Sequence, residues 1–411
     1  MQQSPLQGSL KNTDNNEVPM DTVIIKITGP RKFKILNRSW FVPELTNRRI
    51  HDLSPTELRS LSIYLRHFVF HPPYAGQYLP KVEIYEALNR DRDEVVYTIQ
   101  LTFSVPKLLF GNSLQEVSDA DFEKVLYKLR KALEDVGIQI ESEVLANAKV
   151  SAFHLCKNVL LPPEIRMKEV LDELGRVDMS KVVDITKVEY KHGGQSLHIY
   201  SGTRERVFYD KIADAMRPMV KRKDKGRLER ERALIERCGL DKHEVFRYEY
   251  RVKKGQAVLS EINAHLGRDP KTSVKFKDLF TPDLCKNILL KSWRDLIKRP
   301  ENQLALLGPV DDLGLLSHII TEARKHGNAH SLNRALISYG LASAIRDNGA
   351  KEVRRVISRV WSADHPERLT KRLVEASELT KGLPYSNSIA FIEAGIERYQ
   401  LMTRMSWVLA V

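Results

Sequence analysis

The segment Phe246–Lys253 has the sequence FRYEYRVK, in which charged side chains alternate strictly with aromatic or aliphatic ones. Neighbouring side chains of a β-strand point to opposite faces of the sheet, so this alternation predicts a strand. One face of that strand would carry Arg247, Glu249, Arg251 and Lys253. The segment therefore predicts a sheet with charged groups gathered on one side.

Further strands are predicted by β-branched or alternating runs on the amino-terminal side of this segment. They lie at Asp21–Ile27, Val95–Val105, Ile138–Val144, Lys149–Leu155, Val182–Tyr190, Ser196–Ser201 and Glu205–Tyr209. Helices are predicted from Ser118 to Gly137, over residues 164–175, and along the charged stretch 211–237. Strands and helices thus alternate irregularly, which favours an α+β domain built on an antiparallel sheet.

The pattern changes near residues 270–280. From about residue 278 onward helix signals dominate and strand signals nearly vanish. We therefore predict a disordered tail at residues 1–20, an α+β domain at 21–277 and a helical C-terminal domain at 278–411.

The composition excludes several classes of protein. The AVILMFWYC residues make up 42% of the 411, which is usual for a globular chain and excludes a disordered one. No apolar run is long enough for a transmembrane helix, and the polar first residues do not resemble a secretory signal. Three Cys cannot form a disulfide framework. We expect a cytoplasmic protein with no membrane partner.

The charge is strongly basic and unevenly distributed. The chain has a net charge of +13, and residues 204–254 hold 17 Lys and Arg against 10 Asp and Glu, a net +7. Such clustering favours a polyanion partner such as DNA, although a solvated basic face remains an alternative. The residues that we expect to contact DNA are Arg204, Arg206, Lys221, Arg222, Lys223, Arg247, Arg251 and Lys253. No nucleotide triphosphate motif is present, so an ATP-driven activity is not expected.

Tyr209 stands where the predicted strand Glu205–Tyr209 meets the basic stretch. A tyrosine oxygen that attacks a phosphodiester forms a phosphotyrosine, leaves a free DNA hydroxyl and keeps the energy of the broken bond. The ordinary pKa of about 10 leaves the phenol neutral at pH 7, so the reaction needs help. Lys211 is placed to stabilise the developing charge. Alternatively, Tyr209 is a half-buried strand tyrosine and Lys211 is solvated.

A divalent cation, Mg²⁺ or Mn²⁺, would polarise the phosphate. Glu249 and His154 are the candidate ligands, and His198 and Glu189 are weaker ones. Two plain alternatives stay open, namely that Glu249 belongs to an ion-pair ladder and that His154 is structural. No two histidines stand two positions apart, so the HxH pair of many single-strand endonucleases is absent.

Five segments in a fixed order carry a resemblance to a known family. They are VPKLLFGNSL (105–114), VSAFHLCKN (150–158), RVFYDKIAD (206–214), FRYEYRVKK (246–254) and FKDLFTPDL (276–284). Together they resemble the gene II/X-type replication proteins of filamentous phages and related plasmids, which are rolling-circle initiators. The resemblance implies that Tyr209 is the nicking residue with Lys211 beside it, and that Arg247, Tyr248 and Glu249 form the arginine–aromatic–glutamate strand. The chain departs from the family at Phe153-His154, where an acidic residue is expected.

The resulting expectation is a metal-dependent, site-specific DNA endonuclease with strand-joining activity. Tyr209 would hold the 5′ phosphate of the nicked origin, and the 3′ hydroxyl would prime synthesis by a host polymerase working with a host helicase. The alternative is a non-catalytic origin- or single-strand-binding protein, in which the aromatic residues only stack against bases. The sequence leaves open whether Tyr200 is a second nucleophile.

Overall fold

The structure is a computed structural model. It describes residues 17–29, 31–44, 54–57, 66–71, 78–89, 94–178, 185–191, 193–217, 225–325, 331–360, 366–399 and 402–403. In these residues the strands are β1 (Glu17–Val18), β2 (Met20–Thr28), β3 (Lys34–Ile35), β4 (Phe41–Val42), β5 (Arg66–Phe70), β6 (Lys81–Asn89), β7 (Glu94–Ser104), β8 (Val117–Ser118), β9 (Ile138–Gln139), β10 (Lys149–Leu160), β11 (Ile185–Lys191), β12 (Ser196–Ser201), β13 (Arg204–Asp210) and β14 (Val245–Val252).

Ten of these strands form one antiparallel sheet, in the order β11-β12-β13-β14-β10-β2-β7-β6-β5-β4. Period-two alternation gives the sheet two different faces. In β2, for example, Val23, Ile25 and Ile27 are buried, whereas Thr22 and Lys26 on the other side are partly exposed. The apolar face packs against helices, and we call the opposite side the polar face.

The α-helices of the described residues are α1 (Val105–Phe110), α2 (Phe122–Glu134), α3 (Ser142–Ala146), α4 (Met167–Arg176), α5 (Lys211–Met216), α6 (Lys225–Arg237), α7 (Gly255–Leu266), α8 (Leu284–Ile297), α9 (Pro300–Ala305), α10 (Asp312–Lys325), α11 (Ser331–Asn348), α12 (Ala350–Val360), α13 (Pro366–Leu379) and α14 (Asn387–Arg398). None of them combines the length and the apolar character that a membrane crossing requires.

Two main cores hold the fold together. The larger one lies under the apolar face of the sheet, where Trp293 of α8 contacts the rings of Phe208, Phe246 and Tyr248. Helix α14 also contributes buried isoleucines to this core. Helices α9 to α13 enclose a second core, which includes Leu315. The C-terminal helices therefore both cover the sheet and pack on one another.

The predicted α+β class, with an antiparallel sheet followed by helices, is confirmed. The strand predicted at Ile138–Val144 is wrong, because the extended part ends at Gln139 and helix α3 follows. Residues 17, 18 and 20, predicted to lie in a disordered tail, belong to β1 and β2, and Val18 and Met20 are buried. The rest of that tail, residues 1–16, lies outside the described residues.

Candidate functional site on the polar face

Three neighbouring strands bring the predicted site residues onto the polar face. In the register of β13 and β14, Tyr209 lies opposite Arg247 and Glu205 lies opposite Arg251. In the register of β14 and β10, His154 lies opposite Arg251. Side chains directly opposite each other share a face and have Cβ atoms about 4.5–5.5 Å apart. The sheet therefore places these five side chains side by side on one face.

Arg247 is the centre of this cluster. Its side chain is only 1% exposed, and its guanidinium is bonded on several sides. It contacts the Asp21 carboxylate at 3.1 Å, donates to Glu249 Oε1 at 2.7 Å, and donates to Ser113 O and Asn158 Oδ1. A buried arginine in such a network is a fixed positive charge, because its donors fit carboxylate and carbonyl oxygens. Arg247 therefore holds the cluster together and is not a mobile contact.

Glu249 lies between two arginines. Arg247 Nε donates to Oε1, and Arg251 Nε donates to Oε2 at 2.8 Å. Burial alone would raise the pKa of this carboxyl group, but the charges of Arg247 and Arg251 and the hydrogen bonds from Tyr209 and Arg251 overcome that effect. The pKa of Glu249 is consequently held well below its usual range, and the group is a carboxylate at all physiological pH values.

The hydroxyl of Tyr209 donates to Glu249 Oε1 at 2.5 Å. Burial raises the pKa of the Tyr209 phenol well above its usual value, and the nearby Glu249 charge acts in the same direction. The charge of Arg247 only partly opposes this. Tyr209 is thus a neutral hydroxyl that points directly at a carboxylate, which is the geometry of a nucleophile beside a proton acceptor.

The rim of the site is more exposed and contains a second tyrosine. Glu205 accepts a hydrogen bond from His198 Nδ1 at 3.0 Å and pairs with Lys253 and Arg251. Burial alone would raise the pKa of Glu205, but these partners outweigh burial and lower the pKa to about 2. The Lys191 ammonium donates to the Tyr200 hydroxyl at 2.6 Å. The side chains of Arg251 and Lys253 are 25% and 45% exposed, so both cations are accessible to solvent.

The donor groups around Glu249 bear on whether it could bind a metal ion. Among the described residues, no group of three or more His, Cys, Asp or Glu side chains is arranged to hold a metal ion. Both oxygens of Glu249 are occupied by arginine donors, and burial together with the Arg251 charge lowers the pKa of His154. The two arginine charges on this carboxylate would repel a divalent cation, so the surroundings of Glu249 do not fit one. The Mg²⁺ or Mn²⁺ requirement stays a prediction.

Several predicted residues lie elsewhere. Arg204 and Arg206 point to the helix-covered face, where Arg204 bonds Glu261 and Arg206 lies over the Tyr250 ring. Strand alternation turns both of them away from Tyr209, and their predicted contact with DNA stays a prediction. Lys221, Arg222 and Lys223 lie outside the described residues.

Lys211 is buried at the first turn of α5, not exposed beside Tyr209. Its charge acts on Glu231 of α6. Burial raises the pKa of Glu231, but the charges of Lys211 and Lys107 and hydrogen bonds from Ser113 lower it to about 2. Glu231 also accepts from the Ser113 hydroxyl at 2.8 Å. Lys211 therefore helps to hold the loop that contacts Arg247.

Sequence reasoning missed three groups that complete the cluster. They are Asp21, Asn158 and the backbone carbonyl of Ser113, all of which contact Arg247. Asn158 and Ser113 lie in two of the five segments that carry the family resemblance, so those segments contained a usable signal. Asp21 belongs to none of the five, and only the pairing of β2 with β10 brings it to the site.

Comparisons of the chain with protein-family models, curated proteins and solved structures find no match. The resemblance to gene II/X-type replication proteins therefore stays a prediction.

Proposed function

We propose that this chain nicks and rejoins one strand of DNA through a tyrosine, in the manner of a rolling-circle replication initiator. The observation that carries the proposal is the 2.5 Å contact between the Tyr209 hydroxyl and a carboxylate that two arginines orient. A nucleophile, a proton acceptor and groups that position the acceptor are the parts that a covalent phosphoryl transfer needs.

In the proposed reaction the Tyr209 oxygen attacks a backbone phosphorus and its proton passes to Glu249. The bond from phosphorus to the 3′ oxygen breaks, and that oxygen takes a proton from solvent. The 5′ phosphate then stays on Tyr209 as a phosphodiester, and the free 3′ hydroxyl primes synthesis. Attack by a 3′ hydroxyl on the phosphotyrosine reverses each step and rejoins the strand, so no nucleotide triphosphate is consumed.

Binding of the substrate would make Glu249 a stronger base. While Arg251 remains on Glu249, the carboxylate is a weak base and Tyr209 keeps its proton. A phosphate that draws the partly exposed Arg251 away would remove one of the two charges that lower the pKa of Glu249. Glu249 then becomes a stronger base at the moment when the phosphate is in place, while the buried Arg247 keeps it oriented.

The proposal extends to the setting in which the reaction takes place. The partners are the origin DNA and the host polymerase and helicase, and the location is the cytoplasm of a bacterial host. The net charge of +13 supports a polyanionic partner.

The decisive experiment incubates the wild-type protein with supercoiled DNA that carries the replicon's origin. We expect nicked circles with protein attached, and peptide mapping of the adduct should identify Tyr209. An adduct on Tyr200 would keep the function and move the nucleophile to the rim, where Lys191 already donates to the Tyr200 hydroxyl. Absence of nicked product and of any adduct would overturn the proposal.

One observation favours a second function, that of a non-catalytic single-strand binder. Arg247 and Glu249 are almost fully buried, and a buried ion-pair network also serves to hold strands in register. Under that function the chain binds single strands and leaves supercoiled DNA intact, so the same assay separates the two.

A further inference from the structure

A second polar cluster lies on the same sheet, several strands away from Glu249. We call it the β6 platform and define it by five side chains, which come from β2, β5 and β6. They are Lys26, His67, Lys81, Glu83 and Tyr85. The rings of His67 and Tyr85 are stacked, with centroids 4.8 Å apart and an angle of 4° between their planes. Lys26 Nζ lies 5.4 Å from the centre of the Tyr85 ring.

The strand register puts this platform on the polar face. Glu83 lies opposite Gln100 and Gln100 lies opposite Lys26, so these side chains share one face. Lys26 is four residues from Thr22, and Thr22 lies opposite His154, which lies opposite Arg251. An even separation along a strand keeps side chains on the same face. The platform and the Glu249 site therefore belong to one continuous surface of the sheet.

The distance between the two sites suits a nucleic-acid strand. Four strand spacings of about 4.8 Å separate β14 from β6, and about six residues along β2 add roughly 20 Å in the other direction. The straight-line distance between the Glu249 site and the β6 platform is therefore about 28 Å. Proteins that hold single strands in a basic groove cover about 4–16 nucleotides, so a strand of several nucleotides bridges this distance.

Glu83 holds the platform rigid. It accepts from Gln100 Nε2 at 2.9 Å, bonds His67 Nε2 at 2.9 Å and pairs with Lys81 Nζ at 2.8 Å. Burial raises the pKa of Glu83, but the bond and charge of Lys81 overcome this and lower it. The platform contains two lysines and one carboxylate. It therefore presents a fixed aromatic stack beside positive charge.

We propose that the β6 platform is a nucleobase-stacking subsite for the single strand whose phosphate occupies the Glu249 site. This inference rests on the proposed function and adds the path of the substrate. A base lies against the exposed His67 ring, which continues the stack on Tyr85, while Lys26 and Lys81 contact the flanking phosphates. Stacking on aromatic rings accepts any base, so the subsite sets the length of bound strand and leaves the base sequence unread.

The test measures binding without cleavage, in the full chain carrying Tyr209→Phe. Affinity is measured by fluorescence anisotropy for single-stranded oligonucleotides of about 4 and about 16 nucleotides. Tyr85→Ala in this background should weaken binding of the long strand about 5- to 100-fold and leave the short strand unchanged. Tyr85→Phe should bind as the parent does. Tyr127→Ala, at an exposed tyrosine on α2 that lies outside the sheet, is the matched control.

A second readout locates the base directly. Oligonucleotides with 5-iodouracil placed several positions from the nick should cross-link to His67 or Tyr85 on irradiation. Equal loss of affinity in Tyr85→Ala and Tyr85→Phe, or long-strand binding by Tyr85→Ala at the parent's affinity, would overturn the inference. If the wild-type protein nicks DNA while Tyr85→Ala binds normally, only the subsite fails. Failure of the wild-type protein to nick would instead defeat the proposed function.

Discussion

Replacing Tyr209 by Phe removes one hydroxyl and leaves the ring in place. Glu249 Oε1 loses the hydrogen bond from Tyr209 but keeps the one from Arg247, and Oε2 keeps those from Arg251. A hydrogen bond to a charged group contributes about 1.5–3 kcal/mol. Because the acceptor stays satisfied and no cavity forms, we expect the free energy of unfolding to fall by only about 1–2 kcal/mol. Nicking and covalent adduct should fall to background, while DNA affinity changes less than about twofold.

The matched control for this variant is Tyr248→Phe. Tyr248 lies on the adjacent strand but on the apolar face, and its hydroxyl donates to Ser292 Oγ at 2.8 Å. Losing that bond costs about 0.5–1.5 kcal/mol, a similar loss of stability. The assay is denaturing gel electrophoresis of the adduct formed on supercoiled DNA, together with urea unfolding of both variants. An adduct that persists in Tyr209→Phe, or equal loss of nicking in Tyr248→Phe, would refute the reasoning.

Four other perturbations are expected to have measurable effects. Glu249→Gln should abolish nicking, because the amide cannot take the Tyr209 proton; nicking at the wild-type rate would rule out Glu249 as the proton acceptor. Lys253→Gln should lower the slope of log affinity against log salt concentration by about one unit. Neutralising Lys221, Arg222 or Lys223 should lower it by about one unit for each phosphate contact that is lost. The pKa of Glu205 is about 2 in the folded protein, below its value in the unfolded chain. Its contribution to the free energy of unfolding is therefore present above about pH 4.5 and is lost as the pH falls towards 2. After allowance for solvent screening, this contribution is about 1–2 kcal/mol. Glu205→Gln should therefore reduce the decrease in the free energy of unfolding at acid pH, as measured by urea unfolding. Trp293→Ala should lower the free energy of unfolding by about 3–5 kcal/mol, because its ring fills the core between β13, β14 and α8; a loss below about 1 kcal/mol would contradict that role.

The sequence alone determined which side chains share a face of a strand. The alternation in FRYEYRVK placed Arg247, Glu249 and Arg251 together, and the structure has them together, because the period of two is a local property of an extended chain. The same rule would have separated Arg206 from Tyr209, since they stand three positions apart on one strand.

Only the tertiary structure decided which strands are neighbours. Tyr209 meets Glu249 because β13 pairs with β14 in one register, and Asp21 reaches Arg247 because β2 pairs with β10. These pairings depend on how the whole apolar face packs on its helices, which no local pattern encodes. The burial of Lys211 is likewise a consequence of α5 and α6 packing beside the sheet. Local periodicity thus specifies the faces of the strands, whereas long-range packing assembles a site from them.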